Sequence, residues 1–292
     1  MRGGPPGGDV SASGRAGTYT STMILSAGSA GTLSLLLGGC ALLAYAVAVL
    51  PAQRVGRAAV GAFMAGVVAH VVMLLTEIGS LGLGGGLVRL GFGPVLSLTV
   101  CLTLAVHAFD GRLLPAPSVR RPLAVAGIGA VALGMLFPGE ARVLGSAWAP
   151  LHWLLGVGSY GLFGAALLHA VLLDGAERRL RGRRGLPTAP SAVPLLQLER
   201  ITFRFVGAGF AVLSVAMLLG IATTSQWRWD HKTVLSFAAW AIFALLLAGR
   251  HWRGWRGQQA TRWLYAGVLV LLLAYVGSRF VMEVLLQRSA AA

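Results

Sequence analysis

Six histidines are the side chains of this sequence best suited to ligating a metal or moving a proton. Four of them lie within or at the ends of long apolar runs, where an ionisable group is costly and usually faces an interior cavity. His251 instead follows an arginine-rich segment and is expected to be solvated. The six are His70, His107, His152, His169, His231 and His251.

Spacing sorts these histidines into two pairs. His152 and His169 share one apolar run but are 17 residues apart, which is about 25 Å along a helix, so they cannot bind one ion. We expect His152 to lie at the outer end with His231, and His107 to lie at the inner end with His169. Two stacked sites would suit a cofactor that is moved or electrons that are passed. The alternative is that each imidazole hydrogen-bonds between helices.

A short polar loop, Trp227-Arg228-Trp229-Asp230-His231-Lys232, separates two of the apolar runs. In an extended segment Trp227 and Trp229 would share one face and form a shelf on which a flat aromatic ligand could stack. The alternative is an interfacial aromatic belt. Asp230 is expected to fix the loop, either by pairing with a neighbouring cation or by capping the next helix.

Two further pairs share helix faces. His70 and Glu77 are seven residues apart, so both are expected to point into the bundle, as a proton path or as a structural contact. Arg279 and Glu283 are four residues apart and are placed to pair. An unpaired Arg279 would instead be able to hold a ligand carboxylate.

The elements that must position these residues are membrane helices. Of the 292 residues, 56% are hydrophobic and 11% are charged, and apolar runs of about 20 residues recur, each long enough to cross about 30 Å of hydrocarbon. The sequence therefore predicts an all-α, polytopic integral membrane protein in contact with the lipid bilayer. About eight spans are expected, over residues 24–50, 58–78, 92–110, 121–137, 149–173, 201–222, 233–249 and 260–286.

Basic residues set the expected orientation. The net charge is +15, but the arginines cluster in short loops, which indicates membrane topology and argues against nucleic-acid binding. One set of loops and helix ends carries 16 of the 24 lysines and arginines. A multi-pass protein of the bacterial inner membrane follows, with both termini and the tryptophan loop on the outer side.

Residues 1–22 are rich in Gly, Ser, Thr and Pro and are expected to form a disordered tail. A translation start at Met23 is the alternative. Residues 23–288 are expected to form a single transmembrane domain. Cys40 and Cys101 lie inside apolar runs and form no CxxC pair, so we expect unreactive thiols.

The tryptophan loop resembles the tryptophan-rich region of the cytochrome c assembly proteins, the haem-handling family of CcsA, CcmC and CcmF. It is followed by a span that ends in Gly249-Arg250 and by Gly254-Trp255-Arg256-Gly257. Leu151-His152-Trp153 is similar to the histidine-led span that precedes this region in CcsA. The segments 194–200 and 274–280 are similar to the YpjD branch, and the resemblance covers about residues 90–288.

The resemblance implies haem on the outer face, held against the tryptophans by two external histidines. His152 matches the first of them, whereas the stretch after the last span contains no histidine to match the second. The inner histidine expected near the end of the seventh span is replaced by Gly249. His231 stands where the family usually has proline and would be able to serve as the second axial ligand. Arg279 would be able to hold a haem propionate.

Three functions are consistent with these residues. The first is a haem carrier or chaperone, not an enzyme, that works with cytochrome c assembly partners and uses His152, Trp227, Trp229 and Asp230. The second is an accessory protein that kept the scaffold without haem and assists a transporter or cation-efflux partner in the same membrane. The third is a quinone-linked enzyme that would use His70 and Glu77.

Overall fold

The fold is a bundle of long helices, seen in a computed structural model that describes residues 13–51, 58–82, 87–89, 91–110, 117–138, 141–143, 148–182, 195–223, 229–277 and 280–281. Eight α-helices and two short strands lie within these ranges. The helices are α1 (Ser13–Val49), α2 (Ala58–Gly82), α3 (Phe92–Asp110), α4 (Pro117–Leu136), α5 (Ala149–Gly182), α6 (Leu195–Thr223), α7 (His231–Arg253) and α8 (Gly257–Leu272).

Each of these eight helices contains a stretch long and apolar enough to cross a membrane, α8 only together with the turn that continues it to Gly277. The all-α, polytopic fold class is therefore confirmed. The first helix begins at Ser13, within the stretch expected to be a tail, and its membrane-length apolar part begins at Gly31. Helix α5 runs nine residues beyond the expected end of its span, to Gly182, because charged residues end an apolar pattern without ending a helix.

The bundle has two halves, each with its own core. Helices α1–α4 pack around Tyr45, Phe63 and Leu104, and helices α5–α8 pack around Phe163, Phe243 and Leu264. Phe163 and Phe243 stack with ring centroids 3.9 Å apart. The halves meet where α3 packs on α5, so residues of both halves reach the cavities described below.

The helix termini lie at two opposite ends of the bundle, named here the tryptophan end and the arginine end. At the tryptophan end α5 begins, α6 ends and α7 begins after Trp229. A two-stranded antiparallel ribbon pairs β1 (Leu87–Arg89) with β2 (Ala141–Val143). At the arginine end α5 ends, α6 begins and α7 ends. The last helix continues from α8 into a π-helical turn, Leu273–Gly277.

Candidate functional site

A cavity of about 260 Å³ lies at the tryptophan end, between the two halves of the bundle. The N-terminal parts of α3, α5 and α7, the C-terminal part of α6, and the end of α8 with the π-helical turn after it form its wall. Most of the wall is apolar. The polar side chains that line the cavity are His152, Trp153, Tyr160, Lys232, Ser236 and Tyr275.

His152 is held in one orientation by the neighbouring helix. Its Nδ1 lies 2.8 Å from the carbonyl oxygen of Ala216 on α6. Because a carbonyl oxygen only accepts, Nδ1 carries the proton and donates, so in the neutral ring Nε2 keeps its lone pair. Metal-ligating histidines are usually fixed in this way, by a hydrogen bond from the other ring nitrogen. His152 therefore has the tautomer that an iron ligand needs.

The close approach of α6 to this ring depends on Gly220. A Cβ built at Gly220 would lie 2.9 Å from Cε1 of His152, which is shorter than real contacts of this kind. Gly220 thus leaves space that the imidazole ring occupies. The ring is fixed on one side by the Ala216 carbonyl and on another by the bare backbone of α6.

Two further polar groups at the cavity are suited to an anionic or acceptor-rich ligand. Lys232 lines the cavity, and its Nζ lies 5.1 Å from the ring centroid of Tyr275, within the range of a cation–π interaction. The Nε1 atom of Trp153 is buried and has no hydrogen-bond partner among the described residues. Because a buried donor without a partner is costly, a bound ligand that accepts from it would be stabilised.

The tyrosines close the far side of this cavity. Tyr160 donates its hydroxyl hydrogen to the carbonyl oxygen of Leu271, at 2.7 Å. This bond joins α5 to the end of α8, where the helix passes into its π-helical turn. Most of the remaining wall consists of Met217 and aliphatic residues.

The tryptophan loop is only partly described. Asp230 caps α7, because its Oδ1 accepts from the backbone N–H of Thr233 at 2.8 Å. Partial burial opposes ionisation of Asp230. The hydrogen bonds from Thr233 and the charges of Lys232 and His231 outweigh it, so the pKa of Asp230 lies below its usual value. The expectation that Asp230 fixes the loop as a helix cap agrees with this geometry.

The other predicted residues of the loop lie outside the cavity or outside the described ranges. Trp229 is 70% exposed and lies near Phe237, with ring centroids 5.9 Å apart. His231 is the exposed first residue of α7 and does not line the cavity. Trp227 and Arg279 lie outside the described residues, so the predicted tryptophan shelf and the carboxylate role of Arg279 stay predictions.

The second pair of histidines is brought together by the fold. His107 on α3 and His169 on α5 have ring centroids 5.0 Å apart, with 30° between the ring planes. Both line a second cavity of about 460 Å³, with Arg204 and Phe205 of α6 among the other lining residues. This cavity lies toward the arginine end, about 25 Å along α5 from His152.

His70 and Glu77 bond to different partners in the first half. His70 is fully buried between Tyr45, whose hydroxyl lies 3.4 Å from Nδ1, and Ser97, whose hydroxyl lies 2.8 Å from Nε2. Glu77 accepts from the hydroxyl of Ser34 at 2.7 Å. Both side chains therefore face into the bundle from α2, as expected. The quinone-linked enzyme that would use them stays a prediction.

Sequence reasoning missed one buried polar cluster. Asp174, expected in a loop, lies on α5 and is 8% exposed. It accepts from Thr261 at 3.0 Å and from Tyr265 at 2.7 Å, both on α8. Thr261 and Tyr265 are four residues apart, one helical turn. This spacing places both hydroxyls on one face of α8, but it does not identify Asp174 as their acceptor.

Comparisons with known proteins agree with this architecture. The family model for "Cytochrome C assembly protein" matches residues 34–286. Inner membrane protein YpjD of Escherichia coli K12 is 29% identical over 211 residues, which cover 69% of this chain and 77% of YpjD. Cytochrome c biogenesis protein CcsA of Picosynechococcus sp. is 32% identical over 102 residues, covering 32% of this chain and 30% of CcsA.

An uncharacterised 28.8 kDa protein of Azospirillum brasilense is 34% identical over 144 residues, so the match spans about half of each chain, 48% of this one and 53% of the relative. No solved structure matches. The eight apolar helices and the inner-membrane relative support a multi-pass protein of the inner membrane. With a family model that matches most of its length, the chain belongs to the cytochrome c assembly protein family, in the YpjD branch.

Proposed function

We propose that this protein holds haem at the tryptophan end of the bundle, as a carrier or chaperone and not as an enzyme. Membership of the cytochrome c assembly family supports a haem-handling role in general. The observation that carries the specific proposal is the hydrogen bond from Nδ1 of His152 to the Ala216 carbonyl, because it leaves Nε2 as an iron ligand at the wall of a cavity.

The residues of the cavity fit one edge of a haem. His152 would ligate the iron through Nε2, Lys232 would pair with a propionate, and Nε1 of Trp153 would donate to an acceptor of the ligand. Bound haem would supply the iron whose axial coordination the protein controls. The volume of about 260 Å³ is slightly below the range of about 300–1,000 Å³ typical of ligand pockets, so part of the macrocycle would lie outside the cavity.

A second iron ligand would come from the start of α7. We assign it to His231, because His231 precedes Lys232 and Lys232 lines the cavity. Its imidazole is exposed, so ligation would require the start of α7 to turn toward the cavity. Trp229 and Trp227 would cover the exposed face of the macrocycle, and Asp230 would hold the start of α7 in place.

The proposal is tested by the visible absorption spectrum and the pyridine haemochrome of the detergent-purified protein from haem-replete cells. We expect a Soret band in the wild type that is lost in His152→Ala. The matched control is His251→Ala, which changes an exposed histidine at the arginine end. Full haem absorbance in His152→Ala would contradict the assignment. Loss in His231→Ala as well would identify the second ligand.

One observation favours a second function: His152 is the only histidine among the described residues that line this cavity. In that case the protein would be an accessory subunit that keeps the scaffold without haem and assists a transporter or cation-efflux partner. A wild-type protein that contains no haem, even when haem is supplied during expression, would favour this function. Capture of membrane partners would then be the next measurement.

A further inference from the structure

We propose that His107 and His169 form a second site, which binds a single divalent transition-metal ion and is distinct from the proposed haem site. The pair lies in the second cavity, toward the arginine end. Imidazole is a preferred ligand for zinc, copper and nickel. Ionisable side chains that meet inside a membrane bundle usually mark a functional pathway.

Both imidazoles are held in the tautomer that ligates through Nε2. Nδ1 of His107 lies 2.8 Å from the carbonyl oxygen of Thr103, and Nδ1 of His169 lies 2.9 Å from that of Ala165. In each case the carbonyl belongs to the same helix, four residues earlier. Since both carbonyls can only accept, both Nδ1 atoms donate, and both Nε2 atoms keep their lone pairs in the neutral rings. The Nε2 atoms are buried.

The separation of the rings fits one ion between them. With a metal–nitrogen bond of about 2.0–2.1 Å, each ring centroid lies about 3.2 Å from a ligated metal. When both Nε2 atoms face the same ion, two centroids 5.0 Å apart correspond to an angle of about 100° at the metal, which is close to tetrahedral. The two rings therefore suit two adjacent positions of one coordination sphere.

The same separation argues against haem between these rings. Two axial imidazoles lie on opposite faces of the macrocycle, which places their centroids about 6.4 Å apart with the same bond length. The observed 5.0 Å is shorter by more than 1 Å. The inner pair is thus better suited to a bare ion than to a macrocycle, in contrast to His152.

The described part of the chain supplies no third ligand of this kind beside the two histidines. No group of three or more His, Cys, Asp or Glu side chains able to hold a metal occurs among the described residues. Arg204 lines the cavity and is exposed, so the guanidinium can hold an anionic co-ligand such as a carboxylate. Structural zinc sites use four protein ligands. A site with two protein ligands would therefore release its ion readily. Such a site suits an ion that passes through the protein better than one that stabilises the fold.

The test uses Co²⁺ as a spectroscopic probe on the full chain in detergent, with the purification tag removed. We expect about one equivalent of Co²⁺ to bind, with the intense visible bands of a tetrahedral site. His107→Gln and His169→Gln should each lower the affinity at least tenfold. Arg204→Gln should lower it only when a carboxylate is present in the buffer.

Three controls keep the result interpretable. His152→Ala and His251→Ala should bind Co²⁺ as the wild type does, which separates this site from the proposed haem site. Thermal unfolding of each variant shows whether a loss of binding reflects a loss of fold. A folded wild type that binds no Co²⁺, or binding unchanged in the His107 and His169 variants, would overturn the inference. A haem signal that depends on these two residues would overturn it as well.

Discussion

His152 donates a hydrogen bond from Nδ1 to the carbonyl oxygen of Ala216, across the contact between α5 and α6. Ala216 is 64 residues further along the chain, and its carbonyl is in the interior of a helix. The bond connects the orientation of one imidazole to the packing of two whole helices. A change in α6 that alters this packing should therefore alter the orientation of the His152 ring, although His152 itself is unchanged.

Gly220→Ala is the most direct test of that connection. The new Cβ would come within 2.9 Å of Cε1 of His152, so the ring must move from its present position. We expect haem retention to fall several-fold while the protein remains folded. The Soret absorbance per protein, with the thermal unfolding temperature beside it, measures both effects.

Gly207→Ala provides the matched control for this prediction. It places the same substitution on the same helix, at a position where a Cβ would meet nothing within 4 Å. Because both changes remove a helical glycine, both should raise intrinsic helix stability by a similar amount, up to about 1 kcal/mol. Equal haem retention in the two variants would show that the ring of His152 does not depend on Gly220.

Asp230 offers a prediction about the start of α7. Asp230→Ala removes the side-chain oxygen that accepts from the backbone N–H of Thr233. The loss of this helix cap should lower the free energy of unfolding by about 1 kcal/mol. Asp230→Asn should retain the cap, since Asn serves nearly as well. The thermal unfolding temperatures of the two variants in detergent measure this difference in stability. If the alanine and asparagine variants were equally destabilised, charge and not capping would be the contribution of Asp230.

The pH dependence of the Asp230 contribution has a definite sign. Its pKa in the folded protein lies below the usual value, which is about 3.9 in an unfolded chain. The stabilisation is therefore present above that value and is lost as the pH falls through the lower, folded-state pKa. The difference in unfolding temperature between wild type and Asp230→Asn should shrink as the pH falls below about 4.

The sequence predicted the helices better than the contacts between them. Apolar runs identify membrane helices because each run must satisfy its backbone inside lipid. The pairing of His107 with His169 was predictable because span lengths give the depth of each residue. Lys232 as a cavity residue was not predictable, since depth does not tell which way a side chain at a helix start points.

The burial of two charged residues was likewise not predictable from the sequence. Arg120 directly precedes the span expected at residues 121–137, yet its side chain is 2% exposed and Nε donates to the carbonyl oxygen of Ala48 near the end of α1. A basic group near a helix C-terminus is favourable there. Asp174 is likewise buried against α8. Neither contact can be predicted from the hydropathy of the sequence, because both depend on which helices are neighbours.

Gly93 should be the glycine least tolerant of substitution in the first half. A Cβ there would lie 2.6 Å from the carbonyl oxygen of Leu133 and would also collide with that of Phe137. Both are backbone atoms, so neither can rotate away. Gly93→Ala should force α3 and α4 apart and lower the unfolding temperature by several degrees. Gly129→Ala on α4, where a Cβ meets nothing within 4 Å, is the control and should leave it unchanged or higher.

Asp174 should stabilise the contact between α5 and α8 at the arginine end. Asp174→Ala would leave the hydroxyl of Tyr265 without its acceptor, whereas Thr261 keeps the carbonyl oxygen of Gln258 at 3.3 Å. Leaving a buried donor unsatisfied costs about 1–3 kcal/mol. Tyr265→Phe removes only one donor and should cost about 1 kcal/mol. Denaturation in a detergent–denaturant series would measure both. Since the cluster is far from His152, haem retention in folded Asp174→Ala should equal that of the wild type, and a loss of haem would show that the two ends of α5 are coupled.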